Sequence, residues 1–389
     1  MAVTANNRIF YACQVVGFKG LGDASTSYRV AHGVQSVGIT TNFNLEQAFE
    51  LGQIQIYENI EGTPDLEVTV EKVLDGYPLL YHLASPKASS PGLVGRSKER
   101  CVVSLGIWSD GYDYVGQQGD PNHEKPQVQV EMSGMYLSSV SYNIPVDGMG
   151  TESVSLVGNH KNWLRDGNCD LNPSNNSFGS DGPKASGIGG VVRRENVNLA
   201  KSILPGDIHG ISGLAAGNAD DDGTPRVHLQ GISISTDFSR EDILELGRKA
   251  PYYRATSFPI EVTSEIEMIA TSGDFVGAYE YGDPALFNDS DLKTTASGNN
   301  TAERQIVISL DQAIAFDLGT KNRLSSVSYG GGDATGGNVS ISYSYTNFND
   351  LTVLHSGDPA LVDNGGTLDY TAAQSGYPAN WGNTYMPTS

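Results

Sequence analysis

Residues 39–52 read ITTNFNLEQAFELG, and residues 234–247 read ISTDFSREDILELG. Without gaps, 7 of the 14 positions are identical, Phe43 and Phe238 among them, where average composition gives about one chance match. Tyr57/Tyr252 and Pro64/Pro259 keep the same offset of 195. Three further blocks follow in order. Glu99–Val103 is similar to Glu303–Val307, the hexamer Leu137–Tyr142 (LSSVSY) recurs unchanged as Leu324–Tyr329, and Val154-Ser155-Leu156 matches Val339-Ser340-Ile341. Blocks that keep their order while the offset drifts from 195 to 204 to 185 are what a duplicated unit with loop insertions produces. The chain therefore reads as two copies of one domain, 1–160 and 228–389. They are joined by 161–227, a Gly-, Asn- and Asp-rich loop and linker with room for a short strand at Val191–Val192.

Within each copy the signal is mainly β. Leu66, Val68 and Val70 share one strand face, as do Val128 and Val130, Ile260 and Val262, and the longer run Val339, Ile341, Tyr343 and Tyr345. Turn residues separate these runs at Ser109-Asp110-Gly111, Asp147-Gly148 and the glycines around Asp333. One short helix per copy is expected over 44–52 and 239–247. Asn44 and Ser239 suit N-caps, Gln47 completes a capping-box spacing, and Gly52 and Gly247 suit left-handed C-terminal positions. Ala48, Phe49 and Leu51, and in the second copy Ile243, Leu244 and Leu246, give each helix an apolar side to dock on a sheet. The expected architecture is an antiparallel sandwich or barrel with one helix, made twice.

Lys and Arg total 24 against 45 Asp and Glu, a formal charge of −21. Such a chain is ill suited to grip nucleic acid, where affinity comes from cations on phosphates, or an anionic membrane surface. The start MAVTANNRIF has no basic-then-apolar signal pattern, and no apolar run reaches the roughly 18 residues of a membrane helix. Three cysteines, Cys13, Cys101 and Cys169, without a C-x-x-C, indicate neither a disulfide framework nor a cysteine zinc site. Folding in a reducing compartment is the expectation.

The sequence is poor in catalytic patterns. The stretch Gly17–Gly22 lacks both the Walker and the dinucleotide spacing and reads as a turn. Asn218–Gly223 begins like a calcium loop, but its last ligand position falls on Leu229, which cannot coordinate. No two of the seven histidines lie within four residues of each other. His209-Gly210-Ile211-Ser212 sets an imidazole near a hydroxyl without a triad. Carboxylate pairs such as Glu265/Glu267 share a strand face and read as solvated. The basic pairs Arg193-Arg194 and Arg248-Lys249 read as salt-bridge partners. No enzyme activity, cofactor or metal is expected.

The run Gly231–Glu241 into Leu246–Tyr252, followed by Pro259–Thr263, resembles the strand, helix and strand signature of bacteriophage tail tube (major tail) proteins. Ser139–Tyr142 through Thr151–Gly158, Gly190–Val197 and Leu204–Ile208 are similar to further stretches of that family. The resemblance implies β-sandwich domains, each flanked by a helix, whose inner strands join across chains into a continuous barrel. It implies rings stacked by long loops and arms, with 161–227 as the stacking candidate. The family builds six-fold rings of single-domain subunits, so a two-domain chain implies a trimer with six similar domains. The partners implied are further copies of this chain and other tail proteins: tape measure, terminator, baseplate or tip, and sheath where there is one. DNA would pass through the lumen unbound, and no membrane is involved. The place is the tail of a virion assembled in host cytoplasm. The lumen-facing candidates on copy-related strands are Glu67, Glu71, Glu131, Glu261, Glu265 and Glu267. Two other roles are compatible with this reading: a baseplate or hub initiator ring, or the inner tube of a contractile injection system. A glycan-binding sandwich is a third, with Trp108, Trp163 and Trp381 as the only tryptophan platforms.

Overall fold

Alternating apolar and polar residues bury one face of an extended chain, and strands make up most of this protein. A computed structural model describes residues 8–21, 28–85, 92–109, 125–165, 168–171, 190–194, 197–199, 228–270, 306–310, 314–330, 337–355, 362–363 and 367–368. Asn218–Gly223, Trp381 and most of 161–227 lie outside them. The first half carries β1 (Gln14–Gly20), β2 (Arg29–Val30), β3 (Val34–Asn42), β4 (Leu45–Phe49), β5 (Ile56–Glu61) and β6 (Asp65–Val73). Two short helices, α1 (Leu80–Ala84) and α2 (Leu93–Arg96), precede β7 (Arg100–Ile107), β8 (Val128–Pro145), β9 (Thr151–Gly158) and β10 (His160–Arg165). The second half carries β11 (Val197–Leu199), β12 (His228–Asp237), β13 (Arg240–Ile243), β14 (Tyr253–Thr256) and β15 (Glu261–Ile269). It continues with β16 (Val307–Leu310), β17 (Ile314–Asp317), β18 (Arg323–Gly330), β19 (Ser340–Phe348) and β20 (Thr352–His355).

Eight strands form one antiparallel sheet in the order β3-β6-β9-β8-β12-β15-β19-β18. Its two halves repeat each other. Ile39 faces Val68 in β3·β6, and Ile234 faces Ser264 in β12·β15. The bulge between Val34 and Ser36 recurs between Leu229 and Gly231, and that between Leu137 and Ser139 recurs between Leu324 and Ser326. Bulges fix register, so the repeated hexamer is the sequence of a repeated bulge. Following the register, Leu156 corresponds to Tyr345: Val68 faces Leu156 as Ser264 faces Tyr345. The block match of Leu156 to Ile341 is thus four residues out of step. Short alternating strands slide easily in sequence comparison, whereas the ladder does not.

Behind this sheet lies a second layer. In the first half it runs β10-β8-β7-β1-β2, using the N-terminal part of the long β8, and in the second half β20-β17-β16-β11. β11 lies within the stretch 161–227 read as linker, and β10 runs into it from His160. Val191–Val192 is irregular, and the strand falls at Val197–Leu199 instead; Val192 is buried, its amide donating to Leu74 O at 2.8 Å. The two halves share one apolar core. Tyr142 of β8 packs on Phe316 of β17 with ring centroids 4.6 Å apart, and His82 of α1 lies 3.0 Å from Val353 O of β20.

Under α1, Lys72 and Glu152 face each other across β6 and β9, both wholly buried. The amides of Leu80 and Tyr81 donate to the Glu152 carboxylate at 2.6 and 3.0 Å, and the Tyr142 hydroxyl donates to it at 3.2 Å. Lys72 Nζ bonds Asp75 Oδ1 and Pro78 O, each at 3.0 Å. The corresponding pair in the second half is Met268 and Ile341.

Four sequence expectations are corrected. The segments read as helices are the hairpins β4–β5 and β13–β14. Asn44 and Ser239 adopt φ of 45° and 42°, and their amides bond the side chains of Asn42 and Asp237. These are turn pivots, not N-caps, and the polar residue types that cap helices also build such turns. Gly52 and Gly247, with φ of 93° and 89°, sit at hairpin tips, where positive φ is also needed. Among the described residues the α-helices are α1 and α2, between β6 and β7. Gly17, read as part of a turn, lies within β1; a Cβ there would stand 2.6 Å from Leu171 Cδ1.

Two outcomes test these contacts. Tyr142 is 1% exposed and its counterpart Tyr329, on the edge strand β18, is 51% exposed. Tyr142→Ala should cost about 3–5 kcal/mol in urea unfolding of the unassembled chain, and Tyr329→Ala less than about 0.5 kcal/mol. Burial holds the Glu152 carboxyl above its ordinary value of 4.5, so the folded chain keeps a proton that the unfolded chain has lost. Stability should therefore fall as pH rises past that value. Glu152→Gln should flatten this decline in melting temperature against pH.

Candidate functional site

The period of two divides the eight-stranded sheet into a core face and an exposed face. One lateral row on the exposed face runs Ser36, Glu71, Ser153, Ser141, Ser235, Thr263 and Thr346 across seven strands. The next row includes Asn143, Ser233, Glu265, Ser344 and Ser326, and another includes Gly231, Glu267, Ser342 and Ser328. Glu67 faces Thr40 on one side and Val157 on the other. Glu261, at the start of β15, faces Phe348. Five candidates, Glu67, Glu71, Glu261, Glu265 and Glu267, thus share one face of one sheet.

Hydroxyls partner these carboxylates. Ser36 Oγ donates to Glu71 Oε2 at 3.3 Å, and Ser342 Oγ donates to Glu265 Oε1. Ser235 and Thr263 hydroxyls bond each other at 2.7 Å. Among the described residues of these strands, Arg323 is the single cation whose register places it on this face, at the sheet's corner opposite Thr346. Asp65 is neutralised from the neighbouring hairpin by Arg254 at 2.9 Å.

Glu131 lies elsewhere. It is in the N-terminal part of β8, in the second layer, where the Tyr28 hydroxyl donates to it at 2.6 Å and Lys19 Nζ stands 3.5 Å away. The same lysine reaches Asp170 at 3.3 Å, and Gln129 bonds Asp170 and the amides of Asp170 and Leu171. This cluster pins residues 168–171 to the second layer. The three cysteines are buried, and none of them forms a disulfide. Arg248 pairs with Glu245 at 3.2 Å on the surface.

Features that the sequence reading missed sit at the sheet's margins. The free edges β3 and β18 each pair on one side only. Phe238, Arg240 and Arg254 anchor the second hairpin to the first half. A signal for the first was present: Gln35 and Gln230 occupy the two equivalent bulges, extending the repeat four residues upstream.

The face thus combines hydroxyls with carboxylates that, among the described residues of these strands, are balanced by no cation other than the corner Arg323. What it offers is a field that disfavours polyanions. Screening confines this to roughly 8 Å in physiological salt, so the field acts on a polyanion held close to the face.

No family model matches this sequence, and no curated protein matches it. Among solved structures, the anti-feeding prophage cap (the AFP tube terminating cap, by cryo-EM) aligns at 12% identity with a TM-score of 0.29. The match covers 43% of this chain and 100% of that one. A likeness of that size does not by itself show a common fold. What the structure defines is a mainly β chain whose two halves contribute strands of matching register and bulges to a single open sheet.

The charge of the face can be tested apart from the fold. Replacing Glu67, Glu71, Glu261, Glu265 and Glu267 with Lys should change stability by no more than about 0.5 kcal/mol per site. The variant should be retained on a heparin column through which the natural chain passes.

Proposed function

We propose that this chain is a structural virion protein, the subunit of a tail tube. Three copies close into a ring, and rings stack into the conduit through which DNA passes from capsid to host cell. The observation that carries this reading is the joint β8·β12, where the last sheet strand of the first copy pairs with the first strand of the second. The sheet's two edges offer the same two strands, each paired on one side only: β18 corresponds to β8 and β3 to β12. An edge of unpaired backbone groups recruits another strand. Repeating the inner joint between chains gives a defined register, with Ser326 opposite Asn42, Ser328 opposite Thr40 and Gly330 opposite Gly38.

Burial supports the same reading. In the inner joint, Ile232, Ile234 and Val140 are buried; their counterparts Val37, Ile39 and Val327 at the two edges are only partly so. The carboxylate face lines the lumen in this reading, where it keeps phosphates from adhering. The hairpin tips, with Leu51 and Leu246 fully exposed, are the elements that meet the next ring. The partners are further copies of this chain and the other tail proteins. DNA is cargo, and no chemical step is involved.

The experiment is a cysteine pair, Thr40→Cys with Ser328→Cys, on opposed strands within disulfide reach. Oxidised assemblies should give a non-reducing gel ladder ending at the trimer, with rings in negative-stain images. A chain that stays monomeric at high concentration and in the presence of preformed tail tips would overturn the reading. A ladder ending at six chains would keep the tube and discard the trimer.

A further inference from the structure

The chain carries two versions of one joint, and only the inner one is occupied. There, Phe238 is 0% exposed and its amide donates to Ser138 O at 2.8 Å. Arg240 beside it donates to Leu137 O, Ser97 O and Thr256 Oγ1, each at 2.7 Å. Its guanidinium lies 5.1 Å from the Tyr136 ring centroid and 5.5 Å from that of Phe238. Arg254 bridges Asp65 at 2.9 Å and Asp242 at 3.0 Å. Both arginines belong to the second copy, and they reach into the first.

The same positions in the first copy are filled differently. Phe43 stands for Phe238 and is 59% exposed. Leu45 stands for Arg240, Asn59 for Arg254, and Gln47 for Asp242. The backbone that aims the ring is conserved between the copies, since Asn44 and Ser239 share a left-handed pivot and the same side-chain-to-amide bond. Phe43 is thus presented at the free edge as Phe238 is presented to β8, but on a hairpin that carries Leu45 and Asn59 in place of the two arginines.

We propose that Phe43 is the anchor of the subunit contact, seating on β18 of a second copy of this chain with its amide on the carbonyl of Ser325. The contact is apolar where the inner joint is ionic. This rests on the ring reading above and adds that the two joints have been made chemically distinct. The inner joint clamps the copies through charged hydrogen bonds, which are among the stronger contacts available to a surface. The outer joint keeps only the apolar part, so each chain folds on its own and closes with others afterwards.

The test uses the full chain. Phe43→Asp and the milder Phe43→Ala should abolish rings in native mass spectrometry and negative stain while leaving the melting transition of the monomer in place. Natural rings should hold or strengthen between about 0.1 and 1 M salt, where the screening length falls from about 10 to about 3 Å. The double variant Leu45→Arg, Asn59→Arg copies the inner clamp and faces Glu61 within the hairpin and Glu261 of the second copy. It should close rings at lower concentration and make them salt-sensitive. Rings that form equally well with Asp at position 43, or natural rings that fall apart in salt, would overturn the inference while the tube reading stands. Failure of the natural chain to form any ring would instead remove the tube reading.

Discussion

Everything in this structure hangs on the ladder between β8 and β12. Residues Ser139–Pro145 of one copy pair with Gly231–Asp237 of the other, and that pairing turns two four-stranded units into one eight-stranded sheet. Neither unit could close its own edge. A buried backbone group without a partner costs as much as a lost hydrogen bond, so the strand at the end of the first copy needs a neighbour, and the second copy supplies it. The core follows from this. Tyr142, central in the joint, can be buried against Phe316 because β12 covers its flank. Tyr329 repeats its sequence but lacks that flank and stays exposed.

The duplication was legible in the sequence because it preserved local constraints: a bulge at Leu137-Ser138-Ser139, a pivot at Asn44, a positive φ at Gly52. Each tolerates few residue types, so the bulge and the glycine left identities 187 and 195 residues away, and the pivot left Ser239 in place of Asn44. Strand alternation was legible for the same reason, and it placed five of the six carboxylates on one face. The hairpins were misread because the signals used for a helix are signals for sharp changes of backbone direction in general. Asn, Ser and Gly were correctly seen as punctuation, but the text between them was given the wrong period. An apolar side was assigned to a docked helix, whereas Leu51 and Leu246 face solvent. Glu131 could not be told from the others because β8 crosses from one layer to the other in a single 18-residue strand, and alternation does not reveal which layer a residue is in.

The buried pair Lys72–Glu152 and its counterpart Met268–Ile341 show how loosely sequence is tied to a place in a core. Buried polar side chains with their hydrogen bonds satisfied and a well-packed apolar pair can be energetically similar, and here both occupy the same cross-strand position. What distinguishes them is what lies above. In the first copy Glu152 accepts the first two amides of α1, groups that a five-residue helix cannot satisfy internally. Lys72 acts on that carboxylate through its charge alone, while its ammonium bonds Asp75 and Pro78 O. The charge is therefore a consequence of where the helix starts, not a requirement of the sheet.

The same separation explains why the exposed face can be so acidic. Side chains at even and odd positions of a strand answer to different environments. The residues that hold the sheet together, Val68, Val70, Ile266 and Leu156, are all on the other side. The carboxylates are spaced by hydroxyls along each row, and bonds such as Ser36 to Glu71 and Ser342 to Glu265 spread their charge without neutralising it. A row of lysines would fit the same backbone. The absence of cations along the middle strands of this face is therefore not dictated by folding, and it calls for a cause in what the face meets. A field of this sign matters only within a screening length of the surface, so the arrangement makes physical sense where a polyanion is forced close to it. Closing the two free edges around a lumen would create that condition.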